Sequence, residues 1–352
     1  MLKVGVIGCG AIMQKAHLPA LAITEGIKAE WLVDLNDQAV AREAQRFGIP
    51  HTTQDYKQVT GVDAVIIATP PGLHLSMCSH FLQQGVHVLC EKPLTIRADE
   101  TRELVKLAKE KSLVFSVGLH RRYHATHDFI RQVIESGWLG KLERIDGEEG
   151  GAFDWECQST GNMAIGTGGG GVLIDTGSHT LDCIMYWLRW PETMLQEYRD
   201  NSPEGLIETD SEMTFTLPCN GAEVPVRVEL SRTRTLRNTL QVFFEHGMIE
   251  AAATRPSNVW FQDKRLARDS EEPTPIRLAL GNAADIALGD YYNIQMEDFA
   301  CAICEGREPK NSALAVAPLV QLIEDCYANR QPLDEPWVTF QTDTPLLEGL
   351  VL

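Results

Sequence analysis

From Met1 to Leu119 the chain alternates short, continuous apolar runs with amphipathic segments, a pattern that predicts a parallel β-sheet wrapped by helices. The runs Lys3 to Ile7, Ala29 to Val33, Ala64 to Ala68, His87 to Cys90 and Val114 to Val117 are too short for helices and read as strands buried on both faces. Between them, Asn36 to Phe47, Leu73 to Gln84 and Ala98 to Lys109 combine a helical apolar period with Ala, Leu, Glu and Lys, which marks crossover helices.

Beyond Leu119 the pattern changes. Helices are predicted over Ala125 to Ser136, Leu173 to Leu188, Ile294 to Glu305 and Leu314 to Asn329. Alternating runs at Glu212 to Leu217, Val224 to Leu230 and Leu240 to Phe244 predict a mostly antiparallel sheet whose strand order is not legible. Gln331 to Pro336 reads as a surface crossing. The fold class is therefore α/β. A doubly wound parallel sheet of the Rossmann kind is expected over residues 1–122, followed by an α+β domain with a mostly antiparallel open sheet over 123–352.

Composition narrows the function. A chain of 352 residues, 44% of them hydrophobic, can bury the cores of two domains. Lys plus Arg number 31 against 49 Asp plus Glu, and a net charge of -18 repels phosphate backbones, which argues against a nucleic-acid partner. An anionic substrate would need a local cluster such as Arg232 and Arg234; surface solvation is the expected role of that pair. No apolar run long enough for a membrane span or a signal peptide occurs, so a cytoplasmic location is expected. The nine cysteines, odd in number and set in apolar stretches, read mostly as buried thiols.

The candidate chemistry begins directly after the first strand, with Gly8-Cys9-Gly10-Ala11-Ile12-Met13. Gly8 permits a tight turn and Gly10 lets a pyrophosphate approach the backbone, although Met13 stands where a third, small residue is usual. Asp34 ends the second strand, where a carboxylate can bind the adenosine ribose hydroxyls and repel a 2′-phosphate; the alternative is an N-cap for the following helix. NAD is the expected cofactor, with NADP possible. Thr69 and Pro70 follow the third main strand at the ligand-binding edge of such a sheet, and His74 either meets the cofactor or caps its helix.

Cys90-Glu91-Lys92-Pro93 closes the next strand, and here the sequence resembles the glucose-fructose oxidoreductase and inositol dehydrogenase family, the MocA-like oxidoreductases, whose hallmark is Glu-Lys-Pro at this point. The resemblance spans nearly the whole chain. It is specific through Tyr123 and again from Gly168 to Asp182, and rests on overall pattern beyond about residue 200. It implies a Lys92 that contacts both nicotinamide and substrate, a cis peptide at Pro93, Glu91 beside the cofactor, and Arg122 and Tyr123 as a domain-junction pair against it. It also implies dimers or tetramers packed through the exposed face of the second sheet, and no metal.

Gly168-Gly169-Gly170-Gly171 runs into a helix carrying Asp175, His179 and Asp182 on one face. By the resemblance, Asp175 is the family's carboxylate and His179 its acid-base histidine. The activity implied is hydride transfer between a nicotinamide cofactor and a secondary alcohol or ketone of a sugar, inositol or sugar derivative. Such a site needs a base, His179, and a cation for the developing alkoxide, Lys92, with Asp175 orienting a hydroxyl or supporting the other two. Two other classes share the fold: hydrolases that use bound NAD transiently, and regulators that bind dinucleotide without turnover. His120, His124 and His127 share a face if helical, but the run begins at a strand end and a zinc site is not expected. Cys301 and Cys304 read as core packing rather than a redox pair. Trp155, within the Phe153 to Met163 loop, is a candidate for the substrate pocket.

Overall fold

A computed structural model describes residues 1–152, 170–202, 207–254, 258–267, 274–280 and 288–334. The first domain is built from β1 (Leu2–Ile7), α1 (Leu18–Ile23), β2 (Ile27–Val33), α2 (Asp37–Phe47), β3 (His51–Thr53), β4 (Ala64–Ile67), α3 (His74–Gln83), β5 (His87–Cys90), α4 (Ala98–Glu110) and β6 (Phe115–Val117). Its six strands lie in the order β3-β2-β1-β4-β5-β6, all parallel. The five apolar runs are the inner strands and β6; the strand that sequence missed is β3, whose His51, Thr52 and Thr53 lack the apolar character of a buried strand. Val65, Ile66 and Ile67 of β4 are fully buried, as a strand covered by helices on both faces requires. In a parallel sheet every carboxyl end lies on one edge. That edge therefore collects Gly8, Asp34, Ala68 and Glu91, and the order reverses direction between β1 and β4, where open α/β sheets bind ligands.

The chain continues through α5 (Ala125–Ser136), β7 (Leu142–Gly150), α6 (Ser178–Trp187), β8 (Met194–Asp200), β9 (Asp210–Cys219), β10 (Ala222–Ser231), β11 (Thr239–Phe244), β12 (Gly247–Ala252), β13 (Asn258–Asp263), β14 (Ile276–Ala279), α7 (Leu288–Glu305), α8 (Ala317–Ala328) and β15 (Arg330–Pro332). Its strands form a nine-stranded sheet, β14-β13-β12-β11-β7-β10-β9-β8-β15, antiparallel except where β7 meets β10 and β8 meets β15. Sequence gave Arg330–Pro332 no strand; rather than crossing the surface freely, the first residues of the Gln331 to Pro336 stretch extend the sheet beside Tyr198 to Asp200. The proline ring is tolerated there because the strand is an edge.

Helix α6 is buried along its whole length between the sheet and the helices around it. Tyr292, Met296 and Phe299 of α7 return to the first domain and share one apolar cluster with Val4, Val6 and Leu32 of its sheet. Cys301 and Cys304, on the same helix, are exposed rather than packed in the core, because the apolar face that packs is the one carrying Met296, Phe299 and Ala300. Among the described residues no helix is long and apolar enough to cross a membrane.

Candidate active site

The turn after β1 depends on glycine. Gly8 has φ +97°, and a Cβ there would run into the Ala68 carbonyl at the end of β4, so two strand ends approach more closely than any side chain allows. At Gly10 an added Cβ would meet nothing within 4 Å, which leaves the backbone there open to a ligand, while Ala11 beside it is buried and Ile12 half-buried. Met13, in place of a third small residue, is fully buried, and the backbone from Met13 to His17 takes a wider π-helical turn before α1.

Asp34 is held by its neighbours at the end of β2. Its carboxylate accepts hydrogen bonds from the Cys9 N–H at 2.7 Å and the Asn36 N–H at 2.9 Å. It is not the cap of α2; Asn36 is, accepting from the Ala39 N–H at 3.1 Å. Thr69 and Pro70 follow β4 in extended backbone, half-buried at the same edge.

Three of the expected cofactor residues are turned into the protein. His74 has no exposed surface; one ring nitrogen faces the Thr69 carbonyl at 2.8 Å and the other the Pro93 and Leu94 carbonyls at 3.0 and 3.1 Å. It neither meets the crevice nor caps α3, but ties the Thr69-Pro70 turn to the Lys92-Pro93 turn. Glu91 is buried, with Oε1 2.7 Å from His17 Nε2 and Oε2 accepting from the Lys92 N–H at 3.0 Å. Burial alone would raise its carboxyl, yet these contacts and the Lys92 charge hold it below the ordinary carboxylate range. Arg122 is wholly buried, its guanidinium gripping Asp182 at 2.6 to 3.1 Å and stacked 4.3 Å from the Trp190 ring. With no exposed surface, the side chain faces the core rather than the crevice. The pair locks the 3₁₀ turn His120–Tyr123 to α6, and Tyr123 reaches α7 through Asp298 at 2.8 Å.

Lys92, Asp175 and His179 are brought together from opposite sides of the domain junction. The Lys92-Pro93 peptide is cis. Lys92 Nζ donates to Asp175 Oδ1 and to the Asp175 carbonyl, both at 2.8 Å. Asp175 lies on a π-helical turn, Leu173–Gly177, that opens α6, so the regular helix predicted over Leu173 to Leu188 begins only at Ser178. The glycines ahead of it serve a close approach: a Cβ on Gly171 would occupy the place of the Glu208 carbonyl and carboxyl, and Glu208 in turn accepts from the Val172 and Leu173 N–H groups. Gly168 and Gly169, like Trp155 and the rest of the Phe153 to Met163 loop, lie outside the described residues.

Sequence missed one member of this group. Arg232 does not solvate the surface; its side chain is 10% exposed and Nη2 donates to Asp175 Oδ2 at 2.7 Å. Arg234 is likewise engaged, by Asp210 and Glu229. The signal was present in the pair of arginines, but nothing in the sequence said which strand end faced Asp175. Lys92 first, and then Arg232, hold the Asp175 carboxyl far below the usual range. His179 is pushed well below its ordinary value by burial, reinforced by Lys92, Arg121, His120 and His124, so its ring is neutral. Its neighbour His120 packs edge to face at 5.0 Å and stacks on Tyr292; His124 stacks on Tyr291 and meets His127 edge to face at 5.9 Å, while His127 also faces Trp187 and Cys183.

The buried histidines make the fold acid-sensitive. Burial lowers His120, His124, His127 and His179, His124 to about 3. Above the unfolded value of about 6.5 both states are neutral and nothing is gained; below it the unfolded chain takes up protons that the folded chain refuses. Stability should therefore fall from about pH 6.5 downward, by up to about 1.4 kcal/mol per pH unit for each histidine. Thermal midpoints between pH 7.5 and 4.5 check this, and a flat profile would contradict it.

A crevice at the switch point of a Rossmann sheet, facing a Lys-Asp-His group across a domain junction, defines a dinucleotide-dependent oxidoreductase. Comparison with known proteins agrees. The family described as "Oxidoreductase family, NAD-binding Rossmann fold" matches residues 2–119, and the "GFO/IDH/MocA C-terminal domain" matches 127–250. The chain belongs to the GFO/IDH/MocA family. Levoglucosan dehydrogenase of Pseudarthrobacter phenanthrenivorans is 26% identical over 96% of this chain and 97% of its own. A dTDP-3,4-didehydro-2,6-dideoxy-alpha-D-glucose 3-reductase of Saccharopolyspora spinosa is 28% identical, the match spanning 55% of this chain and 58% of that protein. The same fold is seen in a 3-ketoreductase of Actinomadura kijaniata solved with NADP and TDP-benzene, with TM-score 0.78, 19% identity and coverage of 95% and 99%.

Proposed function

We propose that this chain transfers a hydride between NAD(P) and a secondary alcohol or ketone of a sugar, inositol or sugar derivative, and that Lys92, Asp175 and His179 act on the substrate. The observation that carries this is the convergence of Lys92 Nζ on the ionised Asp175, beside the neutral, nearly buried His179, at the junction of the two domains. The open backbone at Gly10 with Ala11 and Ile12 after it, the turn at Gly8, the fixed Asp34 carboxylate and the Thr69-Pro70 turn would hold the dinucleotide, and Lys92 and Pro93 would lie at its reactive end. Nicotinamide supplies the hydride acceptor in oxidation and the donor in reduction.

The chain's own residues handle the proton and the charge. Neutral His179 can take the hydroxyl proton, and Lys92 can donate to the oxygen as negative charge grows on it. Asp175, held ionised, accepts a hydrogen bond from a substrate hydroxyl and cannot itself compete for the proton. In the reverse direction His179 returns the proton to a ketone oxygen. Absorbance at the NADH band over a panel of sugars and inositols tests the reading. Net cofactor reduction with a panel member is expected; turnover without net NADH would move the assignment to transient use of NAD, and binding without turnover to a regulator.

Asp34 should set the cofactor preference. The wild type should bind NAD more tightly than NADP, and Asp34→Ala should shift the ratio toward NADP by about tenfold or more, since like charges brought together cost several kcal/mol. Titration with both cofactors checks it, and tighter NADP binding by the wild type would remove the ribose role from Asp34. We further place the protein in the cytoplasm as a homodimer or homotetramer joined through the exposed sheet face, which sedimentation velocity would report.

A further inference from the structure

Asp175 meets two cations that come from different domains. Lys92 follows β5 in the first domain and takes Oδ1; Arg232 follows β10 in the second and takes Oδ2, each at under 3 Å. The Asp175 side chain is itself 45% exposed, so the protein packing around it does not fix its rotamer. A single ionic contact would hold one oxygen and leave the carboxylate free to turn about it. Two contacts on two oxygens define its plane.

Arg232 is well built for this task. Its backbone N–H donates to the Thr209 carbonyl at 2.7 Å, and the preceding Ser231 Oγ donates to the buried Asp210 carboxylate at 2.7 Å. The strand end is thereby anchored before the side chain reaches across to the π-helical turn, where Gly177 packs against Leu230 of the same strand.

We propose that Arg232 is a positioning residue for hydride transfer: by holding Asp175 Oδ2 it keeps Oδ1 on Lys92, and it leaves the group with a net positive charge beside the reacting oxygen. This rests on the reading that Lys92 and Asp175 serve the reaction. Without Arg232 the Lys92 and Asp175 charges cancel. The other charged and titratable groups facing His179 are Arg121, itself paired with Glu149 at 2.8 Å, and His120 and His124, with Tyr292, His17 and Glu91 behind His120.

The test compares wild type, Arg232→Ala, Arg232→Lys and Lys92→Met for kcat, KM and NAD affinity, with and without added guanidinium. Arg232→Ala should lose about 10- to 100-fold in kcat, with NAD affinity within about threefold of wild type. Low millimolar guanidinium should restore part of that loss by occupying the vacated place, and Arg232→Lys should keep more of kcat than Arg232→Ala. Wild-type kcat in Arg232→Ala, or a loss that neither guanidinium nor Arg232→Lys relieves, would overturn the proposal. If Arg232→Ala does not fold, Arg232→Gln decides: a reduced kcat with NAD affinity within about threefold of wild type supports the role, and a wild-type kcat refutes it. An inactive Lys92→Met beside a fully active Arg232→Ala would sink the Arg232 role alone, whereas full activity in both would sink the reading of the site.

Discussion

Lys92→Met should lose turnover by about 10²- to 10³-fold while binding NAD within about threefold of the wild type. Methionine keeps the length and apolar bulk of the lysine stem, which is 15% exposed in the cleft, and removes only the charged head. The first domain gives that head no part in its own packing: Nζ donates to the Asp175 side chain and carbonyl, across the junction. Gly8, Gly10 and Asp34 lie at other strand ends of the sheet edge and keep their geometry, so dinucleotide affinity should survive. Asp175 stays ionised through Arg232, and the loss falls on the reacting oxygen, which no longer has a donor as its charge develops. His179→Ala should depress turnover likewise and leave NAD affinity intact, because it sits on α6. Titration by fluorescence and hydride transfer by absorbance, on both variants, check the pair of statements. Full activity in Lys92→Met would contradict the mechanism.

The largest effect on stability should come from Arg122, the residue expected at the cofactor and found in the core. Arg122→Met leaves Asp182, itself 1% exposed, as a buried carboxylate that still meets the Trp190 indole N–H at 3.3 Å among the described residues. Breaking one partner of such a pair costs about 3–5 kcal/mol, because the remaining charge is desolvated without compensation. Replacing both, Arg122→Met with Asp182→Leu, should recover much of the loss. Urea unfolding of the two variants measures this, and a single-variant loss below about 1 kcal/mol would show that the pair is not the lock between the His120–Tyr123 turn and α6 that its geometry indicates.

What sequence made legible follows from the range of the interactions involved. Runs such as Ala64 to Ile67 announce themselves because a strand buried on both faces must be continuously apolar. Lys92, Asp175 and His179 could be singled out because short motifs carry them, Glu-Lys-Pro in one case and the glycine run in the other. Residues whose role is set by a distant partner were misread. Nothing local distinguishes Arg122, which meets Asp182, from Arg121, which meets Glu149, and nothing local shows that Arg232 reaches Asp175. His74 presented as a helix-terminal histidine, and nothing local shows that the carbonyls of Pro93 and Leu94, with that of Thr69, surround its ring. The wider turns at Met13–His17 and Leu173–Gly177 depart from a regular helix without any residue that marks them.

The most direct test of the central claim follows an atom rather than a rate. The wild type is incubated with NAD and a panel substrate carrying deuterium on the carbinol carbon, and the reduced cofactor is recovered for mass spectrometry. One deuterium in the nicotinamide ring, accumulating with the ketone and doing so about 10²- to 10³-fold more slowly with Lys92→Met, is the expected result. A substrate that is converted while the recovered cofactor carries no deuterium would contradict hydride transfer at this site.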